Sequence, residues 1–288
     1  MNLQTDISEI RGRLPEYYAD EEVDERVQTD EIVDWFNQAE YEILKDLPAP
    51  AMVDSSLSAV SSSNLSSGDL SKTMPTDAVK LVSVSVDLNN VGFKRPCIIL
   101  PYEQFILWRS NPNVRPSMSK PLAAFYGGTV YFAPAAKASV TGGLEVRYIK
   151  KPTRRYKHFR GSITDLTGIT EFTDTKTVAA GFPADFFNSC GLKMTSGASR
   201  NEEQTVSDFT AAGVFTMATG FSALVIGETY EVGDASAIPE RFRPLVLEYV
   251  SFLARLKDDD ERAAAHLNEY KRRIAELSGR LAPTGGSA

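Results

Sequence analysis

Residues 74–90 read MPTDAVKLVSVSVDLNN. Val82, Val84 and Val86 alternate with Ser83 and Ser85. Strict alternation of this kind predicts a strand with one buried face. Working outward, further strands are predicted at Cys97–Leu100, Ala124–Tyr126, Thr129–Phe132 and Leu144–Ile149. Gly127-Gly128, between two aromatic-rich segments, is a hairpin turn signal. PYEQFILWRS, residues 101–110, reads as a short helical turn that Phe105, Ile106 and Trp108 could anchor. Upstream, residues 54–73 (DSSLSAVSSSNLSSGDLSKT) fit either a flexible Ser-rich linker or an extended strand and loop.

Helical patterns flank this β region. Leu3, Ile7, Ile10 and Leu14 make a short amphipathic stripe, ended near Pro15. A second helix, capped by Thr29 or Asp30, carries Ile32, Trp35, Phe36, Ala39, Ile43 and Leu44 and stops at Pro48. At the other end, Leu245, Val246, Tyr249, Val250, Leu253 and Leu256 form one stripe. Leu267, Tyr270, Ile274, Leu277 and Leu281 form another with heptad-like spacing. Short Thr-rich segments (ITEFTD, GLKMTSG, QTVSDFTAAG, VFTMATGF, ETYEVGD) fill residues 163–233 and predict a small barrel or sandwich. Only the turn at Phe182–Asn188 breaks that β pattern.

The expected fold class is therefore α+β, with N- and C-terminal helices forming a bundle, a central antiparallel β region, and a small β insertion. The expected divisions are 1–50 (helices), 51–162 (central β region), 163–233 (inserted β module, of which residues 170–232 are expected to be removable across a Gly-Ser bridge) and 234–288 (helices and a GGSA tail).

Composition narrows the function. Hydrophobic residues make up 42% and charged residues 24%, enough for a sizeable core. No apolar run approaches the roughly 20 residues needed to span a bilayer, so no membrane partner is expected. MNLQTDISEI carries no secretory pattern, which places folding in a cytoplasm. Two distant cysteines, Cys97 and Cys190, read as buried free thiols. Two histidines, His158 and His266, leave little room for zinc or triad chemistry. The chain has no P-loop, GxSxG or HExxH motif. The run Asp258–Glu261 reads as a solvated or capping cluster, because neighbouring helical side chains diverge. No catalytic residue, metal site or cofactor is expected. The net charge of −7 comes from residues 1–31, whose acidic side chains suit a solvated face or a basic neighbour.

The most distinctive patch is YIKKPTRRYKHFR, residues 148–160. Lys150, Lys151, Arg154, Arg155, Lys157 and Arg160 are interleaved with Tyr148, Tyr156 and Phe159. Such a pattern can track a nucleic-acid backbone, serve as a solvated connector, or dock on acidic protein surfaces. All three readings stay open.

The order MPTDAVKLVSVSV, PYEQFILWRS, KPLAAFYGGTVYFAPAA and LEVRYIKKPT resembles the head–tail adaptor (connector) proteins of tailed bacteriophages. So do DEIVDWFNQAEYEILKDLP, residues 30–48, and the helical ending from Ile238 to Leu277. The resemblance implies a structural virion protein at the neck, assembled in the host cytoplasm. It implies a homo-oligomeric ring, commonly of about twelve copies, under the portal protein. Such a ring extends the channel, lets DNA pass without sequence-specific binding, and carries the downstream tail or neck proteins. The alternative is a tail-associated module that recognises glycan or another virion protein through the β insertion.

Overall fold

The structure is a computed structural model, and it describes residues 2–14, 29–53, 55–111, 116–257 and 260–281. The acidic stretch 16–27, Asp258, Asp259 and the GGSA tail lie outside the described residues. The helices are α1 (Leu3–Arg13), α2 (Thr29–Asp46), α3 (Tyr102–Ser110), α4 (Thr175–Ala179), α5 (Arg243–Lys257) and α6 (Ala263–Leu281). The first strands are β1 (Ser58–Leu65), β2 (Ser71–Thr73), β3 (Ala78–Val86), β4 (Arg95–Pro96) and β5 (Ile98–Ile99). Next come β6 (Leu122–Tyr126), β7 (Thr129–Ala133), β8 (Val140–Lys150), β9 (His158–Ser162) and β10 (Asp165–Gly168). The last are β11 (Glu171–Thr173), β12 (Gly191–Met194), β13 (Glu203–Phe209), β14 (Val214–Met217) and β15 (Thr229–Gly233). The fold is α+β.

The chain divides into two compact units. The first comprises Met1–Glu42 and Thr153–Ile274; the second comprises Ile43–Pro152 and Ala275–Ala288.

The second unit stacks three layers. One sheet has the order β1-β8-β3-β4 and the other β2-β7-β6-β5. Leu81, Val84, Val86, Leu144 and Val146 of the first face Ala123, Val130 and Phe132 of the second, making an apolar core. On the opposite face of the second sheet, Phe105 of α3 packs on Leu122, Ala124 and Ala133. The Ser-rich segment is strand and not linker, since β1 pairs with β8 along its length. Gly127 and Gly128 make the hairpin turn with φ of +56° and +73°, as a two-residue turn requires.

Three expectations for this unit need correction. The alternating valines do not share one buried face. Leu81 pairs with Tyr148 and Ser83 with Arg147, so Val82 is the extra residue of a bulge. The bulge switches faces there, leaving Leu81, Val84 and Val86 inside. The region is not purely antiparallel, because β5 runs parallel to β6. In α3 only Phe105 is buried; Ile106 and Trp108, offered as anchors, face solvent with Leu107.

The first unit holds a seven-stranded antiparallel sheet, β10-β11-β14-β13-β12-β15-β9, curled as a half-barrel. Its core joins Phe172, Phe187, Phe209, Phe215 and Tyr230 in successive ring contacts of 4.7–5.6 Å. A short helix, α4, interrupts the β pattern where none was expected; Asp174 caps it by accepting from the Lys176 N–H. Strand β9, inside the basic run, pairs with β15. Helix α1 lies on β15, β9 and α5. Its start is tied down by the Leu3 N–H, which donates to the Asp234 carbonyl at 2.9 Å. Gly233 allows this approach, since a Cβ there would sit 3.1 Å from the Gln4 nitrogen and 3.3 Å from the Leu3 nitrogen.

Candidate functional site

The six basic residues do not form one uniform surface. Lys150 and Lys151 belong to the second unit, at the end of β8; the Lys151 N–H donates to the Asp77 carbonyl. Arg154, Arg155, Lys157 and Arg160 belong to the first unit. Arg160 is exposed on β9. Lys157 is half-buried, its ammonium 5.5 Å from the Phe186 ring centroid and 6.0 Å from that of Tyr156. Arg154 pairs with Asp34, and both side chains are mostly in water, at 71% and 61% exposure.

Arg155 is different, because it is 2% exposed. Its Nη1 donates to Asp6 Oδ2 at 2.8 Å, and its Nη2 lies 2.9 Å from Glu40 Oε1. The guanidinium also sits 5.4 Å from the Phe36 ring centroid. Asp6 Oδ1 accepts from Arg243 Nε at 3.0 Å, and Arg243 pairs in turn with Glu9. Glu40 Oε1 accepts from the Ser236 hydroxyl at 2.6 Å. Burial holds Glu40 above the usual carboxylate range, with Arg155 and Ser236 pulling the other way. The network therefore joins α1, α2, α5 and the basic run with charges removed from water. A buried charge is tolerated only when paired in this way.

The two cysteines and two histidines also sit in structural settings. Burial pushes the Cys97 thiol up to about 12. Burial, aided by Asp234, does the same for Cys190, so both stay protonated and unreactive near neutral pH. Burial lowers the His158 pKa, which keeps that ring neutral at pH 7. His266 Nε2 accepts from Arg255 Nε at 3.2 Å. Its proton therefore sits on Nδ1, which donates to Glu248 Oε2 at 2.8 Å. Among the described residues, no three His, Cys, Asp or Glu side chains gather as a metal-ligand set. Among them, too, no helix is long and apolar enough to cross a membrane.

On α6, hydrogen bonds from Arg272 and then Arg273 hold Glu269 down to about 2. The folded value lies below the ordinary 4.5, so the stabilisation is complete above that pH and is lost as pH falls toward 2. A carboxyl-carbon NMR titration should place the Glu269 midpoint near 2. Replacing Arg272 and Arg273 by Ala should move it back toward 4.5. An unmoved midpoint would show that these pairs do not form in solution.

What the sequence did not reveal is the run of exposed apolar side chains within residues 91–108. Of fifteen large apolar side chains left exposed among the described residues, seven fall there: Val91, Phe93, Ile98, Ile99, Ile106, Leu107 and Trp108. An 18-residue stretch of a 288-residue chain would not gather so many by chance, and such clusters mark protein-contact surfaces. The signal available in the sequence was FILW, four consecutive apolar residues that diverge around a helix and cannot all be buried against one sheet.

A family model described as SU10 adaptor protein matches residues 5–188, well over half of the chain. The chain belongs to the SU10 adaptor protein family. Among curated proteins, the search found no match. The SU10 adaptor match begins in α1 and includes Asp6, Glu40 and Arg155 as well as the whole 91–108 surface. It runs on past α4 and ends before β12, so Arg243 and the last two helices lie outside it. As an SU10 adaptor the chain is a structural phage protein and a component of the virion; the family is not an enzyme family.

Proposed function

We propose that this adaptor works as a head–tail connector. Identical copies, about twelve, close into a ring under the portal, extend the DNA channel and give the tail a platform. In this reading the helices at the two ends pack as a bundle, and the curled sheet of the first unit decorates the outside of the ring. The observation that supports it best is the exposed apolar surface at residues 91–108, which suits a chain that works buried among other chains. The buried charge network around Arg155 supports it too, since it stiffens the first unit without building a catalytic site. Arg154, Lys157 and Arg160 then face protein neighbours or solvent, and DNA passes without being gripped.

The test is microscopy. Purified protein, alone and mixed with the portal of the same phage, is imaged by negative stain, and assembled particles are labelled with antibody against this chain. Closed rings that seat on the portal, with label at the neck, are expected. Monomers in both samples, with label at the tail tip, would favour the tail-module alternative.

A further inference from the structure

The segment from Asp87 to Arg95 is a loop of fixed shape. Asp87 is buried, and its carboxylate gathers three backbone N–H groups. Oδ1 accepts from Asn89 at 3.3 Å and Val91 at 3.1 Å, while Oδ2 accepts from Gly92 at 2.8 Å. Two backbone bonds tie the base: the Asp87 N–H donates to the Gly143 carbonyl, and Lys137 N–H to the Leu88 carbonyl. Asn90 and Gly92 hold positive φ of 59° and 75°. Glycine and asparagine are the residues that adopt such a conformation most readily, so this turn is also favoured locally. Yet the side chains this frame displays, Val91 and Phe93, are apolar and 64% and 63% exposed. A loop ordered before it binds loses little further entropy on docking, which favours a rigid apolar knob.

The same unit carries a second exposed apolar patch, on α3. Helix α3 lies on the outer face of the β2-β7-β6-β5 sheet; Leu107, 67% exposed, points away from the sheet, and Ile106 and Trp108 are partly exposed on the two flanks of the helix. The knob instead leaves the end of β3, in the other sheet. The charges beside them are complementary. Arg95 is exposed next to Phe93, and Glu103 is exposed in the first turn of α3. Arg109 stands at the far end of the helix and would repel Arg95 there, which sets the direction of approach. Lys94 is already paired with Glu145 at 2.8 Å.

We infer that the Val91/Phe93 loop of one copy seats on the outer face of α3 of the next copy, with Arg95 toward Glu103. This inference rests on the ring reading above and names one contact that builds the ring. Two unlike surfaces on one unit make a heterologous contact, and repeating it carries copies round an axis. Self-pairing of either surface would close a twofold dimer instead.

The full chain is tested by photo-cross-linking. Phe93 is replaced by p-benzoylphenylalanine, an aromatic substitution at an exposed position that leaves Asp87 and its bonds in place. Protein made with natural isotopes is mixed with heavy-isotope protein, irradiated and mapped by mass spectrometry. Mixed-isotope links from position 93 to residues 98–110 are expected. In parallel, Phe93→Asp and Leu107→Asp should each reduce the assembled fraction more than tenfold, with the circular dichroism of wild type. Val60→Asp, at an exposed apolar site on β1, should not reduce it. Rings whose links from position 93 run elsewhere, or only within one copy, would overturn the contact and leave the connector reading standing. Absence of self-association, with no links between copies, would overturn both.

Discussion

Arg155→Ala is expected to destabilise the first unit by about 3–5 kcal/mol, the usual result of removing one partner from a buried ion pair. Asp6 keeps Arg243, but Glu40 is left almost fully buried with only the Ser236 hydroxyl. Arg155→Lys should recover little, because one ammonium cannot reach two carboxylates from a fork while lying over Phe36. The neighbouring Arg154→Ala should cost about 0–1 kcal/mol, since its pair with Asp34 sits in water. Urea unfolding of the three variants at pH 7 measures both claims. Equal midpoints for Arg154→Ala and Arg155→Ala would mean that the network contributes nothing beyond a surface pair.

Removing residues 170–232 across a Gly-Ser bridge is expected to abolish cooperative folding of the first unit. The sequence reading made the opposite expectation, that this module could be excised and the rest would stay folded. In the structure the deletion takes β11 to β14 and nearly all of β15, which leaves β9 without its partner. It also removes Glu231, whose carboxylate accepts from the Thr5 hydroxyl at 3.0 Å and the Ser8 hydroxyl at 2.6 Å. Asn2 loses the Glu231 carbonyl to which its side chain donates at 3.1 Å. Helix α1, whose Asn2, Thr5 and Ser8 side chains reach β15, then loses the strand it lies on. Hydrogen exchange at Ile7 and Ile10 reads this directly. Wild-type protection in the deletion variant would show that the sheet is separable after all.

Periodicity carried most of the architecture. Helices α1, α2, α5 and α6 and the Gly127-Gly128 hairpin stand where residue spacing puts them, because each is decided by its own neighbours along the chain. The bulge at Val82 was not legible, because it depends on the β8 strand some 60 residues away. Arg155 was hidden for a similar reason. A run of basic residues reads as solvated, and its burial is set by acids at positions 6 and 40. One signal did point there. Asp6 lies beside Ile7 and Ile10 on the buried side of α1, and Glu40 follows Phe36 by one turn on the buried side of α2. Two carboxylates on apolar stripes call for a buried cation. The knob at Val91 and Phe93 was missed because its rigidity comes from side chain-to-backbone bonds at Asp87, which leave no hydrophobic period.

The charge network also constrains how this sequence can diverge. Position 155 cannot drift to a neutral residue while 6 and 40 stay acidic, nor can either acid be lost while the arginine remains. Substitutions at these positions should be inherited together, with a well-packed apolar set as the exchange that preserves the fold. Arg243 shares Asp6 yet lies beyond the region common to the family, so descendants that replace the C-terminal helices must also re-solve the pairing of a residue in the first helix. Lineages that exchange the end of the chain by recombination would then carry a compensating change at position 6 or 9, more than two hundred residues from Arg243 in sequence.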